Sequence, residues 1–413
     1  MLVLEKDNFN RTEKFGKEKL TNRIYFKANI KKLYIFHFLM GCYLISGVLI
    51  PFYLIWGRLT FIEFLILQSY FTIMALLFEI PCGAIADRLS RKYSLFLSGL
   101  ASALAALIYG SMPNILLFFI GETLFAFGTS TMSGSNEAIL YDSLSKIGKE
   151  KDFSKVVAKE HSLFLLGVVI SAPIGAMIAY HISLQLVMVL MVFPYISGTL
   201  ITLTLKEPKN TIKLKSPNLL TTLRSGFYYL KKNKIMRILT FDMLIIETFV
   251  IFLVIIYQFY LFKELHISLI YLGIIESILT LTQIVFNNLV PIFEQKIKNK
   301  KKILLLNTII PGIAYIFIGL IFFTPIIIIL IILVMGFGLS RYFIFLNGLN
   351  KNIEKEHRAT FFSTINMIRL LIRALIFPFI VLILMMNINL VFILLGFIII
   401  ILGLKSKVKN EFL

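Results

Sequence analysis

Ionisable side chains stand inside long apolar stretches of this chain, where they could bind protons, pair with each other or hold a charged ligand. An ionised group at the centre of a membrane helix costs about 2.5–3.5 kcal/mol, so such groups usually face a partner or a polar cavity. Two arginines one helical turn apart could also clamp a carboxylate or a phosphate. The candidates for proton coupling or substrate binding are Glu122, Asp242, Glu247, Glu276, Arg369 and Arg373.

Bond-making catalysis is not indicated by the remaining residues. The two cysteines, Cys42 and Cys82, lie far apart in apolar runs, and the five histidines form no cluster with metal-ligand spacing. The sequence has no nucleophile elbow and no phosphate-binding loop. We therefore expect no enzyme activity, no metal and no cofactor, and a membrane-embedded enzyme or a sensor is a remote alternative.

The composition indicates that membrane-spanning helices position the candidate residues. The 413 residues are 58% hydrophobic and 15% charged, whereas a soluble domain is roughly 45–50% apolar and about 25% charged. Apolar runs of 17 to 26 residues fit helices, because only helices and closed barrels satisfy the backbone in a bilayer. Twelve runs are predicted to span the membrane: 33–56, 61–86, 93–112, 115–140, 161–181, 184–205, 237–262, 268–293, 303–323, 326–348, 360–385 and 388–404.

The basic residues predict the orientation of these spans. If the N-terminus is inside, 37 of the 42 Lys and Arg residues fall in inner segments, and only Arg58 and Lys263 fall in outer loops. The positive-inside rule then places both termini in the cytoplasm, in a multi-pass protein of the plasma membrane. The net charge of +20 is thus explained by inner loops that face anionic lipid, and no nucleic-acid partner is expected.

The longest inner loop divides the chain into two similar parts. Ser216-Pro217 is a helix-start signal in this loop, followed by apolar residues on one face. This short amphipathic helix would lie on the membrane surface or cap the bundle from below. The predicted parts are a basic segment (1–32), a six-helix bundle (33–205), the central loop (206–236), a second six-helix bundle (237–404) and a tail (405–413).

A charged motif follows the second apolar run, and it consists of Gly83, Asp87, Arg88, Arg91 and Lys92. With twelve spans in two sets of six, this motif resembles the signature loop of the major facilitator superfamily, except that serine stands at position 90 where glycine is usual. The resemblance implies the all-α major facilitator fold and small-molecule transport by alternating access. It also implies a conformational gate in which Asp87 faces the start of helix 11.

The basic residues of the motif have two interpretations. Arg88, Arg91 and Lys92 could pair with acids at nearby helix ends, among which Asp142 is nearest by topology. They could equally serve only to hold the loop on the inner side of the membrane.

Three further segments are similar to microbial facilitators described as efflux or drug-resistance permeases. They are Phe78-Glu-Ile-Pro81, Gly134 to Ser143, and Arg358 to Ser363. This likeness implies export, and it makes Glu79, Glu137 and Asp142 secondary gate candidates near the inner membrane edge. Two departures from proton antiporters are the absence of an arginine on helix 4 and a degenerate glycine pattern on helix 5.

In the superfamily, helices 1, 2, 4, 5, 7, 8, 10 and 11 line the cavity, and all six candidate residues fall on this set. The first hypothesis is a secondary transporter that exports an amphiphilic compound in exchange for protons, with Glu122, Glu247 or Glu276 titrating. The second is a transporter or exchanger of an organic anion held by Arg369 and Arg373. Both arginines could instead be structural, with Arg373 paired to Glu276 or Glu247.

Other polar and aromatic residues carry weaker expectations. His37 could relay protons, although a buried histidine with satisfied hydrogen bonds is the simpler interpretation. Arg341 is placed near the inner surface, to which an arginine side chain can snorkel. The tyrosines of helices 1 and 7 could stack on a ligand or anchor the helices at the interface. They are Tyr34, Tyr43, Tyr53, Tyr257 and Tyr260.

Overall fold

The protein is an assembly of long helices, seen in a computed structural model. The residues that the structure describes are 24–88, 90–207, 227–297, 299–353, 361, 364–373, 375–376 and 387–413, and none of them forms a strand. The predicted amphipathic helix after Ser216-Pro217 lies outside these residues.

The first half contributes six helices in the order the sequence predicts. They are α1 (Ile24–Trp56), α2 (Phe61–Arg88), α3 (Arg91–Ser111), α4 (Ile115–Lys146), α5 (Phe153–His181) and α6 (Leu184–Leu203).

The second half repeats this arrangement after the central loop. Ten of the described helices are long and apolar enough to cross a membrane, and α12 is a shorter apolar helix. The second-half helices are α7 (Lys234–Glu264), α8 (Leu269–Lys296), α9 (Lys300–Leu320), α10 (Thr324–Leu349), α11 (described over 364–373) and α12 (Ile388–Leu404).

Several helices begin earlier than the apolar runs predict, and three of them add turns that pack into the bundle. Helix α1 starts at Ile24 instead of residue 33, α5 at Phe153 instead of 161, and α7 at Lys234 instead of 237. The added turns are amphipathic, so hydropathy alone assigns them to loops. Their buried side chains, such as Phe26 and Asn29 in α1, show that these turns belong to the bundle.

Several helices begin with a residue whose side chain accepts a hydrogen bond from a backbone N–H of the first turn. Asparagine and serine are preferred there because the first backbone N–H groups of a helix have no partner within it. The N-cap residues are Ser90 for α3, Asn114 for α4, Ser183 for α6, Asn233 for α7, Asn299 for α9 and Asn387 for α12.

The two halves are structural repeats of each other. Arg58 and His266 are equivalent positions 208 residues apart, and both have positive φ, at 54° and 51°. Each follows a turn of π-helix, Phe52–Trp56 in α1 and Tyr260–Glu264 in α7. The two halves show little sequence similarity at these turns. Their backbone geometry is the same, but the residues that adopt it differ.

The halves meet at one end of the bundle, which we call the short-loop end because its helix connections are only a few residues long, such as Gly57–Thr60 and Leu265–Ser268. The rings of Phe61 on α2 and Phe259 on α7 stack there at 3.8 Å. The opposite end carries Lys27, Lys149 and the chain's C-terminal tail, and we call it the basic end.

Helix α1 is broken where it crosses this contact. Its α-helical part ends at Gly41, and a short 3-10 segment begins at Leu44. A side chain at Gly175 on α5 would collide with the Leu44 carbonyl oxygen, so the glycine allows α5 to approach the broken segment closely. The broken segment therefore packs against α5 and also reaches α8 of the second half, where Gly47 approaches Gly273.

Candidate functional site

Glu122 lies on α4 with its carboxyl group among aromatic side chains. It is only 4% exposed. The Tyr53 hydroxyl on α1 donates to its Oε1 atom at 3.0 Å, and the Gln68 amide on α2 lies 3.4 Å from the same atom. The Tyr109 hydroxyl is 3.1 Å from that of Tyr53. Among the described residues, no cation forms a salt bridge with Glu122.

Glu276 on α8 has a similar environment in the second half. The Tyr257 hydroxyl on α7 donates to its Oε2 atom, and the Thr280 hydroxyl lies 3.5 Å from its Oε1 atom. Within the described part of the chain, Glu276 also lacks a salt bridge to a cation. Tyr43, beside the break in α1, interacts electrostatically with both Glu122 and Glu276. The two carboxyls thus share one neighbourhood around α1.

Asp242 is held by an arginine whose position the sequence interpretation misjudged. Arg341 on α10 donates from Nη2 to Asp242 Oδ1 on α7 at 2.8 Å. Arg341 is only 3% exposed and packs its guanidinium over the Phe345 ring, so it does not snorkel to the surface. The buried counter-charge on α7 explains why this cation stays inside the bundle.

Glu247 is shared by the two arginines of α11. Arg373 Nη2 donates to Glu247 Oε1 at 2.9 Å, and Arg369 Nε lies 3.2 Å from the same oxygen. This settles the partner of Arg373 as Glu247 and not Glu276. Arg369 also stacks over Tyr342, and Asn366 accepts a bond from its Nη1 atom at 3.3 Å.

The second-half cluster has more cationic than anionic groups. Among the described residues it contains the two carboxylates of Asp242 and Glu247 and the three guanidinium groups of Arg341, Arg369 and Arg373. Both Glu247 and its two arginines are partly exposed, at 14%, 16% and 20%. Such an arrangement can hold one further anionic group.

A buried polar group that the sequence analysis missed lies in the first half. Glu160 on α5 is 2% exposed, accepts a bond from Asn136 Nδ2 at 2.9 Å and lies 3.5 Å from His37 Nε2. Hydropathy alone places Glu160 in a loop, because the apolar run starts at residue 161 whereas α5 begins at Phe153. Its spacing from the apolar positions of α5 was the available signal.

The gate motif is described only in part. Arg91 forms the predicted ion pair with Asp142 at the end of α4, and its backbone N–H donates to Glu207 at 2.8 Å. Ser90 has a φ of 153°, a backbone conformation that glycine adopts more easily. This agrees with the glycine that usually stands at this position of the resembling motif.

For the other gate candidates, the structure gives the exposure of the side chain. Lys92 and Glu79 are half-buried and Glu137 is exposed. The structure describes the backbone at Gly83, Asp87 and Arg88 but not the surroundings of these three residues.

Two of the five tyrosines that could face a ligand are hydrogen-bond partners of acids. Tyr53 and Tyr257 bind Glu122 and Glu276 through their hydroxyls. Tyr260 packs its ring against Phe392 on α12. The bonding role of the first two follows from three-dimensional proximity, which helical spacing within one span does not reveal.

Comparison with known proteins agrees with this architecture. The family model of the Major Facilitator Superfamily matches residues 33–377. A search of curated proteins finds no matching relative by sequence.

Solved structures of transporters share the fold across almost the whole chain. The nucleoside transporter NupG is 16% identical, with a TM-score of 0.73 over 92% of this chain and 99% of that chain. A POT family transporter in complex with 5-aminolevulinic acid is 14% identical, with a TM-score of 0.74 over 91% and 94%. A D-xylose–proton symporter is 14% identical, with a TM-score of 0.68 over 94% and 99%.

At these identities the likeness extends to the fold and not to the substrate. The family-model match covers most of the chain, and the twelve-helix, two-bundle fold agrees with it. The chain therefore belongs to the Major Facilitator Superfamily, a family of small-molecule transporters of the membrane.

Proposed function

We propose that this protein is a secondary active transporter that couples movement of its substrate to protons, with Glu122 and Glu276 as the proton-binding residues. The observation that carries the proposal is the environment of these carboxyls. Each is held by a tyrosine hydroxyl inside the membrane-spanning bundle, and neither has a salt bridge to a described cation.

The energetics of burial support this assignment. A buried carboxylate without a counter-charge is unfavourable by several kcal/mol, and uptake of a proton removes that cost. Asp242 and Glu247 already have arginine partners, so protonating either carboxylate would remove the counter-charge of a guanidinium group inside the bundle. Of the three carboxyls first considered as titrating groups, Glu247 is therefore the weakest candidate.

For the substrate, we propose export of an amphiphilic compound, on the likeness of three sequence segments to efflux permeases. Proton antiport in the plasma membrane, with cytoplasmic termini, belongs to this proposal and rests on the uneven distribution of basic residues. A second candidate is an organic anion. It is favoured by Glu247, whose single carboxylate is shared by Arg369 and Arg373 and leaves a surplus of positive charge.

Inside-out membrane vesicles test the coupling directly. An imposed pH gradient is combined with a panel of amphiphilic cations and organic anions. We expect gradient-driven accumulation of a panel member in the parent protein, and its loss in Glu122→Gln and Glu276→Gln at equal expression. Asp87→Asn, in the gate motif, serves as a second inactive variant. Full activity of both glutamine variants would refute the proton role.

The same vesicles separate the two substrate classes. Arg373→Gln should weaken the affinity for a transported anion at least tenfold, because one charge-assisted bond is lost. Lys263→Gln removes one cation from an exposed position at the short-loop end and serves as the control for net charge. Unchanged affinity for every transported anion in Arg373→Gln would remove the second candidate.

A further inference from the structure

Gln258 joins the two halves of the protein beside one of the proposed proton sites. It lies on α7, is only 5% exposed, and bonds to α1 in the other half. Its Nε2 atom donates to the Ser46 carbonyl oxygen, and its Oε1 atom accepts from the Ile50 N–H at 3.2 Å. Ser46 lies in the 3-10 segment that interrupts α1, and Ile50 lies in the helical turn that follows it.

The same amide also contacts the hydroxyl that holds Glu276. Gln258 Nε2 lies 3.0 Å from the Tyr257 hydroxyl oxygen, and that hydroxyl donates to Glu276 Oε2. An unbroken row of hydrogen bonds therefore runs from Glu276 to the backbone of α1. We propose that Gln258 is a positioning residue that couples the proton on Glu276 to closure of the short-loop end. This inference rests on the proton role proposed above.

The direction of the coupling follows from donors and acceptors. A carboxylate at Glu276 accepts the Tyr257 O–H, which leaves the tyrosine oxygen free to accept from the Gln258 amide. A protonated Glu276 can donate to the tyrosine oxygen instead, and the tyrosine O–H must then turn towards the amide. The Gln258 NH₂ group cannot accept that hydrogen, so the O–H and N–H groups oppose each other and the amide is pushed away from the α1 backbone.

Few other titratable groups among the described residues interact with Glu276 and could change the direction of this coupling. Among described residues, the titratable groups that interact with it are Tyr257 on α7 and Tyr43 on α1, and Tyr43 also interacts with Glu122. Helix α5 meets α8 next to Glu276 through the Val169 backbone carbonyl, which accepts from the Ser277 hydroxyl at 2.7 Å. The unprotonated, empty protein is thereby held closed at its short-loop end, which prevents a leak of protons.

Distance measurements across the short-loop end test this coupling. Labels are placed at cysteines substituted for Ile62 and Lys263, which are exposed positions on α2 and α7, in full-length protein without Cys42 and Cys82. In the parent protein we expect one closed population at high pH and an added open population at low pH. Glu276→Gln should lose this response to pH.

Two variants distinguish coupling from simple packing. Gln258→Leu should raise the open-to-closed ratio at high pH about tenfold and remove its dependence on pH. Tyr257→Phe keeps the bonds of Gln258 to α1, so it should stay closed at both pH values. Gln185→Leu is the matched control, because Gln185 donates to the Gly110 carbonyl at 2.7 Å within one half.

Each outcome decides between the inference and the function on which it rests. A normal pH response in Gln258→Leu or in Tyr257→Phe would overturn the coupling. If the parent protein shows proton-driven transport in vesicles but no pH-dependent opening, this inference fails and the proposed function stands. If Glu276→Gln transports normally, the proton role of Glu276 fails as well.

Discussion

The contact between the halves at the short-loop end depends on two glycines, and enlarging one of them should open it. A Cβ atom at Gly273 on α8 would lie 2.3 Å from Ala176 Cβ and 2.7 Å from the Ala172 oxygen on α5. A Cβ at Gly47 on α1 would lie 2.6 Å from the Gly273 Cα. Carbon atoms in contact are normally about 3.5–4.0 Å apart, so Gly273→Ala requires α5 and α8 to separate by roughly 1 Å.

The size of the effect follows from the cost of overpacking. Extra atoms in a well-packed contact cost about 1–3 kcal/mol. Because α5 and α8 belong to different halves, opening the short-loop end relieves this cost, and the ratio of open to closed protein should rise about 5- to 150-fold. The label pair at positions 62 and 263 measures that ratio.

A second glycine provides the control for simple loss of packing. A Cβ at Gly396 on α12 would lie 2.6 Å from the Gly312 oxygen on α9, and both helices belong to the second half. Gly396→Ala should therefore lower the melting temperature and leave the open-to-closed ratio unchanged. If folded Gly273→Ala keeps the closed population of the parent protein, then this contact does not control opening.

Three further substitutions test the interpretation of the charged groups. Asp242→Asn leaves Arg341 buried without its counter-charge and should destabilise the protein by about 3–5 kcal/mol, measured as a lower melting temperature that Arg341→Met in the same chain partly restores. Glu160→Leu removes the acceptor of the buried Asn136 amide and should lower the melting temperature by several degrees, whereas an unchanged value would show that the bond between Asn136 and Glu160 contributes nothing. Arg91→Gln breaks a partly exposed salt bridge, so stability should change by less than about 1 kcal/mol while the transport rate falls; a normal rate would separate this pair from the gate.

The fold was predictable because its signal is spread along the whole chain. Long apolar runs and the uneven placement of basic residues depend on many side chains, so single errors do not matter. The candidate acids were also recognisable, because Glu122 and Glu276 are charged residues inside long apolar runs.

The partners of the candidate residues were much less predictable. Glu160 was assigned to a loop and Arg341 to the surface, because each interpretation used only neighbours along the chain. Gln258 is a single amide in an apolar run, and nothing in its spacing indicates a bond to α1. Contacts between helices fix these roles, and the sequence of one protein does not report which helix faces meet.

The repeat relation suggests how the two halves came to differ in chemistry. Gln68 on α2 and Glu276 on α8 occupy equivalent positions 208 residues apart, and Gln68 lies against Glu122. The first half thus has an amide where the second has a carboxyl, and it takes its own carboxyl from α4. Apart from Arg91 at the start of α3, the described arginines that form ion pairs, such as Arg341, all lie in the second half. Two halves with the same fold therefore each place a buried carboxyl beside a tyrosine hydroxyl, while in the described part of the chain the surplus of buried positive charge lies in the second half.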